Sequence, residues 1–391
     1  MSSRRRRWLW LLLPVALVVA AIALNELLAG WQLRRAQELY EHEVGPVEPG
    51  AWFPESDLGP GENGGALLQR LVAAWPLSES SNALLAELAS EPASAWSEES
   101  LLALAPDLEG AADWLRALER LPETRQSSLG VEPGAVFSGS LQEEWLSMRR
   151  VGQMATVLAR DSLAREECPA AAPWTVALER VAAYVAAVPV VVLQLLALDQ
   201  AAQLQRVVRE AVDRCGSEVT ASLVEALDHY ADVRQGLVGA LGAEGAIGHR
   251  RVLETEVGWL QRWTSDHPKR GAAATLDVYR ELAVLVRDAE DPDSLRAESG
   301  VDEPAVGKAG TLRQMLRAAL VPNLLDGALR ERVVESADRL TRAGIEIVGG
   351  APEGGALRDR LGLVGDSLEA QPVAAGLRLV FVESRTWLED E

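Results

Sequence analysis

Four consecutive arginines, Arg4, Arg5, Arg6 and Arg7, run directly into WLWLLLPVALVVAAIAL, the stretch from Trp8 to Leu24. Those 17 residues, extended by Leu27 and Leu28 past Asn25 and Glu26, are long enough to cross a hydrocarbon layer of ~30 Å as a helix. Trp8, Trp10 and Trp31 fall where interfacial aromatics belong, and Arg4, Arg5, Arg6 and Arg7 predict a cytoplasmic N-terminus. Pro14 is tolerated in a membrane helix. Two readings of the run stand. One is a retained signal-anchor; the other is a cleavable signal peptide, because Ala21-Ile22-Ala23 fits the small-x-small pattern. The length of the run and its continuation into WQLRRAQELYEHEV favour the anchor. Both readings export the rest of the chain. The expected location is the bacterial inner membrane, crossed once, with the bulk outside the cytoplasm.

A second stretch, VAAYVAAVPVVVLQLLAL from Val181 to Leu198, rivals the first in hydrophobicity. Pro189 sits at its middle, Gln194 interrupts it, and Glu179, Arg180 and Asp199 bracket it. A central proline beside three valines predicts a turn between two buried helices rather than a second span.

The net charge is −20, although the four N-terminal arginines contribute four positive charges, so the remainder carries −24. That surface repels phosphate backbones, which argues against nucleic acid as a partner. Composition is otherwise that of a globular protein, with 48% hydrophobic residues. Lysine is confined to Lys269 and Lys308.

Periodicity predicts an all-α fold: an N-terminal transmembrane helix and a multi-helix bundle outside the membrane, closed by one small C-terminal β-hairpin. The expected segments are a basic tail (1–7), an anchor (8–28), a juxtamembrane helix and linker (29–50), a short-helix region (51–121), a connection (122–140), a main bundle (141–348) and a tail (349–391). Within the bundle, Leu141, Trp145, Met148, Val151, Ala155 and Leu158 stripe one helix that ends near Cys168-Pro169. Others are expected from Trp174 to Val188, Val190 to Arg214, Ser217 to about 233, around His249 to Trp263, and Thr275 to Val286. A long helical segment should run from Thr311 to Ala343, with strands at Ile345 to Val348 and Leu377 to Val382. Three long helices running up, down and up would bring Cys168 and Cys215 to one end of the bundle, making them a candidate disulfide outside the cytoplasm.

Motifs that suggest chemistry lack their partners. Gly365-Asp366-Ser367-Leu368 spells the nucleophile block of GDSL-type hydrolases, but no histidine follows it. Gly307-Lys308 lacks the spacing and hydroxyl of a phosphate loop. His42, His229, His249 and His267 show no ligand spacing and read as surface or boundary residues. Asp288, Glu290, Asp291 and Asp293 lack the calcium-loop glycine. Glycines at 236, 239, 242, 245 and 248 suggest a loose turn or a close helix crossing, with a ligand-approach loop as the functional alternative. Trp52, Trp75, Trp96 and Trp114 read as core, with sugar or peptide binding as their alternative. No catalytic, metal or cofactor residue is assigned.

Three stretches carry a resemblance: GENGGALLQRLVAAWPLS (Gly61 to Ser78), the helical middle from Met148 to Leu253, and LRAALVPNLLDGALRERVVESADRL (Leu316 to Leu340). They resemble a loose group of uncharacterised membrane-anchored helical proteins of Planctomycetes-like bacteria. The resemblance implies architecture and location and no catalytic residue. The Tyr-Pro and closing Asp-Asp-Gly patterns of that group are missing from this C-terminus. The expected role is a membrane-tethered envelope module that binds or scaffolds an envelope protein. The alternatives are an envelope hydrolase with a dispersed site, for which Ser367 is the named candidate, and a glycan- or solute-binding protein.

Overall fold

A computed structural model describes residues 3–53, 58–59, 62–91, 95–122, 129, 140–215, 233–255, 267–288, 368–373 and 376–381. The described chain is all-α, with ten helices, an apolar helix at the N-terminus and one hairpin. The helices are α1 (Ser3–Glu43), α2 (Gly64–Ala73), α3 (Glu79–Ser90), α4 (Glu98–Gly110), α5 (Ala112–Glu119), α6 (Ser140–Ala164), α7 (Cys168–Ala186), α8 (Val191–Cys215), α9 (Val233–Glu254) and α10 (Pro268–Asp288). The hairpin pairs β1 (Leu368–Val373) with β2 (Gly376–Phe381), antiparallel, Leu368 opposite Phe381. The expected strand at Leu377 to Val382 is therefore present, and its partner lies just before it. Ile345 to Val348, the segments 217–232 and 311–343, Gly307-Lys308 and Ser367 lie outside the described residues.

Two hydrophobic cores organise these helices. The larger collects α2 to α8, with Leu68, Leu85, Leu118, Val151, Leu178, Val181, Leu193 and Leu204 fully buried. The smaller is built by α1, α9 and α10 around Leu33, Tyr40, Leu241, Leu276, Tyr279 and Leu282, and it takes in Val191 at the start of α8. The short helices of the first half are closed by side-chain caps. Asn63 accepts from the Ala66 amide, Ser78 from Ser81 and Ser97 from Ser100, each satisfying a donor that the first turn of a helix leaves open. A buried guanidinium fastens this region to the bundle. Arg160 of α6 forms a two-pronged pair with Glu210 of α8 (2.7 and 2.9 Å) and lies over the Trp96 ring at 5.1 Å.

The apolar run from Val181 to Leu198 is two buried helices. α7 ends at Ala186 and α8 starts at Val191, because Pro189 has no amide to continue the ladder. Gln194 closes that turn. Its side-chain amide donates to the carbonyls of Ala186 and Val188, both at 2.7 Å, two of the acceptors that the end of α7 would otherwise leave bare. Cys168 and Cys215, at the start of α7 and the end of α8, form a disulfide with Cα atoms 5.7 Å apart. Only one helix among the described residues, Ala16–Glu43 within α1, is long and apolar enough to cross a membrane.

The glycine run departs from a loose turn. All five glycines lie inside α9, which starts upstream of the predicted helix. The crossing reading holds. A step of three residues rotates about 60° short of a full turn, so successive glycines wind across different neighbours. A Cβ on Gly236 would strike Gln194, on Gly242 the Trp52 ring, on Gly245 Tyr40 and Tyr279, and on Gly248 Thr275. The helix tolerates its weak formers because backbone–side-chain contact compensates on three sides. Gly45 shows the second use of glycine: at φ 150° it turns the chain after α1, and the Trp52 ring occupies the space a Cβ would fill.

Two outcomes test this packing. Gly245→Ala places a methyl 2.7 Å from Tyr279 Cβ and should destabilise the fold by about 1–3 kcal/mol. Gly239→Ala meets nothing within 4 Å and should stabilise it by ~0.5–1 kcal/mol through helix propensity. Denaturant unfolding of the detergent-solubilised chain reads both. Separately, cutting the disulfide, which closes a loop of 47 residues, should lower stability by about 4 kcal/mol; equal midpoints with and without reductant would contradict it.

Candidate functional site

Polar side chains concentrate where α1 is gripped by α9 and α10, and three levels can be distinguished along α1. At the far level, Arg280 pairs with Glu43 at 2.8 Å and Arg287 donates to the Glu43 carbonyl at 3.0 Å. These contacts fix the end of α1 against the second half of α10. The two helices run parallel, since Glu26 meets His267 while Glu43 meets Arg280.

At the middle level, Tyr40 is fully buried and its hydroxyl donates to the Gly242 carbonyl. Beside it lies Glu244, buried on α9, whose carboxylate accepts from the Val191 amide at 2.9 Å. That amide opens α8, so Glu244 caps α8 from another helix. Gln194 and Glu244 together satisfy the two sides of the Ala186–Val191 turn and tie the larger core to the smaller. Burial lifts the Glu244 carboxyl from an ordinary 4.5 to about 7, against the opposing pull of the Val191 amide. Burial also raises the Tyr279 hydroxyl, with the Glu244 charge next in importance. His249, one turn further along α9, is held below its ordinary value by burial, and the Ala272 backbone carbonyl opposes that shift weakly. Its Nε2 lies 3.3 Å from the Gln37 amide nitrogen. The ring therefore accepts there from the Gln37 side-chain amide.

At the near level, adjoining the apolar half of α1, the chain enters α10. His267 is 1% exposed and its Nδ1 accepts from the Lys269 amide at 3.2 Å. Nε2 is then the protonated nitrogen, and it donates to Glu26 Oε2 at 2.8 Å. Lys269 Nζ reaches the same oxygen at 3.1 Å. Arg270 spans two turns of α1, bonding Asn25 Oδ1 at 2.6 Å and Gln32 Oε1 at 3.3 Å. Asn25 and Glu26, the polar interruption of the apolar run, are thus the residues that α10 grips.

The sequence-selected residues distribute as follows. Arg4, Arg5, Arg6, Arg7, Trp8 and Trp10 lie on the first turns of α1, so the basic tail expected before the anchor is continuous with the anchor helix. Trp31 is 52% exposed and Arg35 sits over its ring at 5.6 Å. Of the four histidines, His42 is exposed and His229 lies outside the described residues. His249 and His267 are buried, which corrects their reading as surface residues: each has a polar partner on α1 that sequence distance conceals. Trp52, Trp75, Trp96 and Trp114 direct their indole N–H groups to Pro46, Asn82, Leu88 and Leu71, which fits core packing. Among the described residues, no group of three His, Cys, Asp or Glu side chains could hold a metal. Motif and spacing do not single out Glu244, Tyr40 or Arg270; the signal available is a polar side chain breaking an otherwise apolar face.

Searches against family models, curated proteins and solved structures find no match to this chain.

The Glu244 environment predicts a pH effect of definite sign. An unfolded carboxyl titrates near 4.5 and the folded one near 7, so between those values the folded chain keeps a proton that the unfolded chain releases. The contribution is complete below about pH 4.5 and falls by about 3 kcal/mol as pH rises to about 7. His249 acts oppositely, losing its contribution as pH falls below 6.5. Glu244→Gln keeps the acceptor for Val191 and removes the titration. Subtracting its unfolding free energy from that of the native chain isolates Glu244. That difference should turn against the native chain between about pH 5 and 7.5; a pH-independent difference would place Glu244 in water.

Proposed function

We propose that this chain is a single-pass inner-membrane protein of the bacterial envelope, with its N-terminus in the cytoplasm. Its helical domain stands outside as a binding or scaffolding module for an envelope protein. One observation carries the reading: α1 belongs to two environments at once. Leu17, Val18, Val19, Leu24, Leu27, Leu28 and Trp31 are exposed, whereas Ala29, Leu33, Ala36 and Tyr40 are buried in the domain. An exposed apolar surface of this extent needs a cover, and lipid is the one that a helix of this length fits. The arginines before it favour the stated orientation. The disulfide suits an oxidising compartment, and the acidic remainder suits neither nucleic acid nor broad contact with an anionic membrane.

The retained-anchor reading draws support from the same helix, since α1 is unbroken from Ser3 to Glu43. A domain whose core includes its own anchor is held at a set height and angle, as a scaffold requires. The interlocked buried side chains around α9 set Gly242 against the Trp52 ring and Gly245 against Tyr40 and Tyr279, which speaks against a ligand-approach loop there.

The test combines extraction, mass and labelling. The protein should remain in the membrane pellet after alkaline carbonate and keep the mass of the full chain. Cys168 and Cys215 should react with a membrane-impermeant maleimide in intact spheroplasts, and only after reduction. Release by carbonate, or labelling only after lysis, would overturn the placement. A mass lacking the first ~23 residues would make the run a cleaved signal peptide.

A further inference from the structure

We propose that the start of α10 and the facing turns of α1 form a basic collar that binds the phosphates of anionic lipids in the leaflet beneath the domain. The inference rests on the tether reading above and adds a lipid class and the residues that recognise it. Exposed apolar side chains follow α1 as far as Trp31, and beyond it the exposed residues turn polar with Gln32, Arg34 and Arg35. α10 begins against that boundary. Lys269 reaches Glu26, and Arg270 bridges Asn25 and Gln32. A helix from Trp8 to Leu28 rises about 30 Å, so this boundary and the α10 entry fall at headgroup depth.

The charge there opposes that of the chain. Lys269 and Arg270 at the start of α10 and the exposed Arg34 and Arg35 of α1 bring four cations to this level, where Glu26 is bound to Lys269 and Glu38 lies a turn further on, although the sequence beyond the N-terminal arginines carries −24. Lys269 is one of two lysines in the whole chain. Arg270 is held by amide oxygens, which orient its guanidinium without neutralising it. Arg35 lies over the Trp31 ring, an aromatic–cation pair suited to the interface. Fixed guanidinium forks and a lysine beside lipid-facing leucines match a phosphodiester on a lipid better than a free anion. Each basic residue near an anionic surface strengthens contact about fivefold.

The experiment places the full chain in nanodiscs of phosphatidylcholine alone or mixed with phosphatidylglycerol and follows amide hydrogen exchange in the first turn of α10. Exchange there should slow several-fold in the mixed discs, and the slowing should vanish in high salt and in Lys269→Gln/Arg270→Gln. It should survive replacement of Arg4, Arg5, Arg6 and Arg7 by glutamine, and it should grow in Glu26→Gln, which removes the competing acid. Equal exchange in both discs, or slowing that persists in the double variant, would overturn the collar. Equal slowing by inorganic phosphate in phosphatidylcholine discs would also overturn it, in favour of a soluble-anion site. A chain that incorporates into neither disc would instead sink the tether reading, and is read separately as co-elution with the discs.

Discussion

α1 presents two kinds of surface along one continuous helix, exposed apolar residues first and a buried stripe after, and the arrangement of α9 and α10 follows from that constraint. Between Ala16 and Trp31 the exposed residues are apolar, and from Ala29 onward the buried ones form the stripe Ala29, Leu33, Ala36 and Tyr40. A stripe at three- and four-residue spacing covers one face of a helix, so α1 needs neighbours on that side. α9 and α10 supply them as an antiparallel pair, the most extensive helix pairing among the described residues. Their close approach is possible because α9 offers glycines where Tyr40, Tyr279 and Trp52 must fit. Large aromatic side chains on two helices and absent side chains on the third are one packing solution, in which each ring fills a notch and the Tyr40 hydroxyl and Trp52 indole each find a carbonyl.

The polar groups in this interface follow a rule of location. Each satisfies a helix end or holds α1 in register. Glu244 serves the first amide of α8, Gln194 the last carbonyls of α7, and His267 the first amide of α10. Long-range capping of this kind is more consequential than a local cap, because losing it opens a buried donor or acceptor and a contact between elements together. The disulfide and the Arg160–Glu210 pair play corresponding roles in the larger core, one tying the outer ends of α7 and α8, the other binding α6 to α8 beneath Trp96. A buried guanidinium is costly to desolvate. Its chelated carboxylate and the ring face explain why it is tolerated there.

How much of this can be read beforehand depends on the range of the interaction responsible. The anchor, the short capped helices, the turn at Pro189 and the strand at Leu377 are local, and hydrophobic period, capping residues and proline register them directly. The glycine run is the opposite case. Each glycine costs a helix up to ~1 kcal/mol by propensity, so a run of five reads as a break. The contacts that outweigh the cost come from residues far off in the chain in either direction, Gln194 and Trp52 on one side and Thr275 and Tyr279 on the other. α7 illustrates a milder version: it begins at Cys168-Pro169, several residues before Trp174. Pro169 is compatible with a first turn, whereas Pro173 lies inside the helix and costs it one intrahelical hydrogen bond, to the Pro169 carbonyl. His249 and His267 escape a surface reading for a third reason. Burial of a histidine depends on a partner, and Gln37 and Glu26 stand more than 200 residues from them.

Function is legible only through the helix that faces two ways. Fold alone does not define an activity, and the buried groups with altered proton affinity are closed into packing contacts rather than arranged around a reacting atom. A raised carboxyl is a reliable sign of a working acid or base when it lines an accessible cleft. Glu244 instead faces the start of α8, between two tyrosines, on a helix locked to α1. Its chemistry is structural: a carboxyl that accepts one amide bond and is neutral or charged near physiological pH, at the joint between the two cores. The same physical fact that makes it uninformative about catalysis makes it informative about coupling, since α9 meets α1 through Gly242 and Tyr40 and meets α8 through Glu244 and Val191.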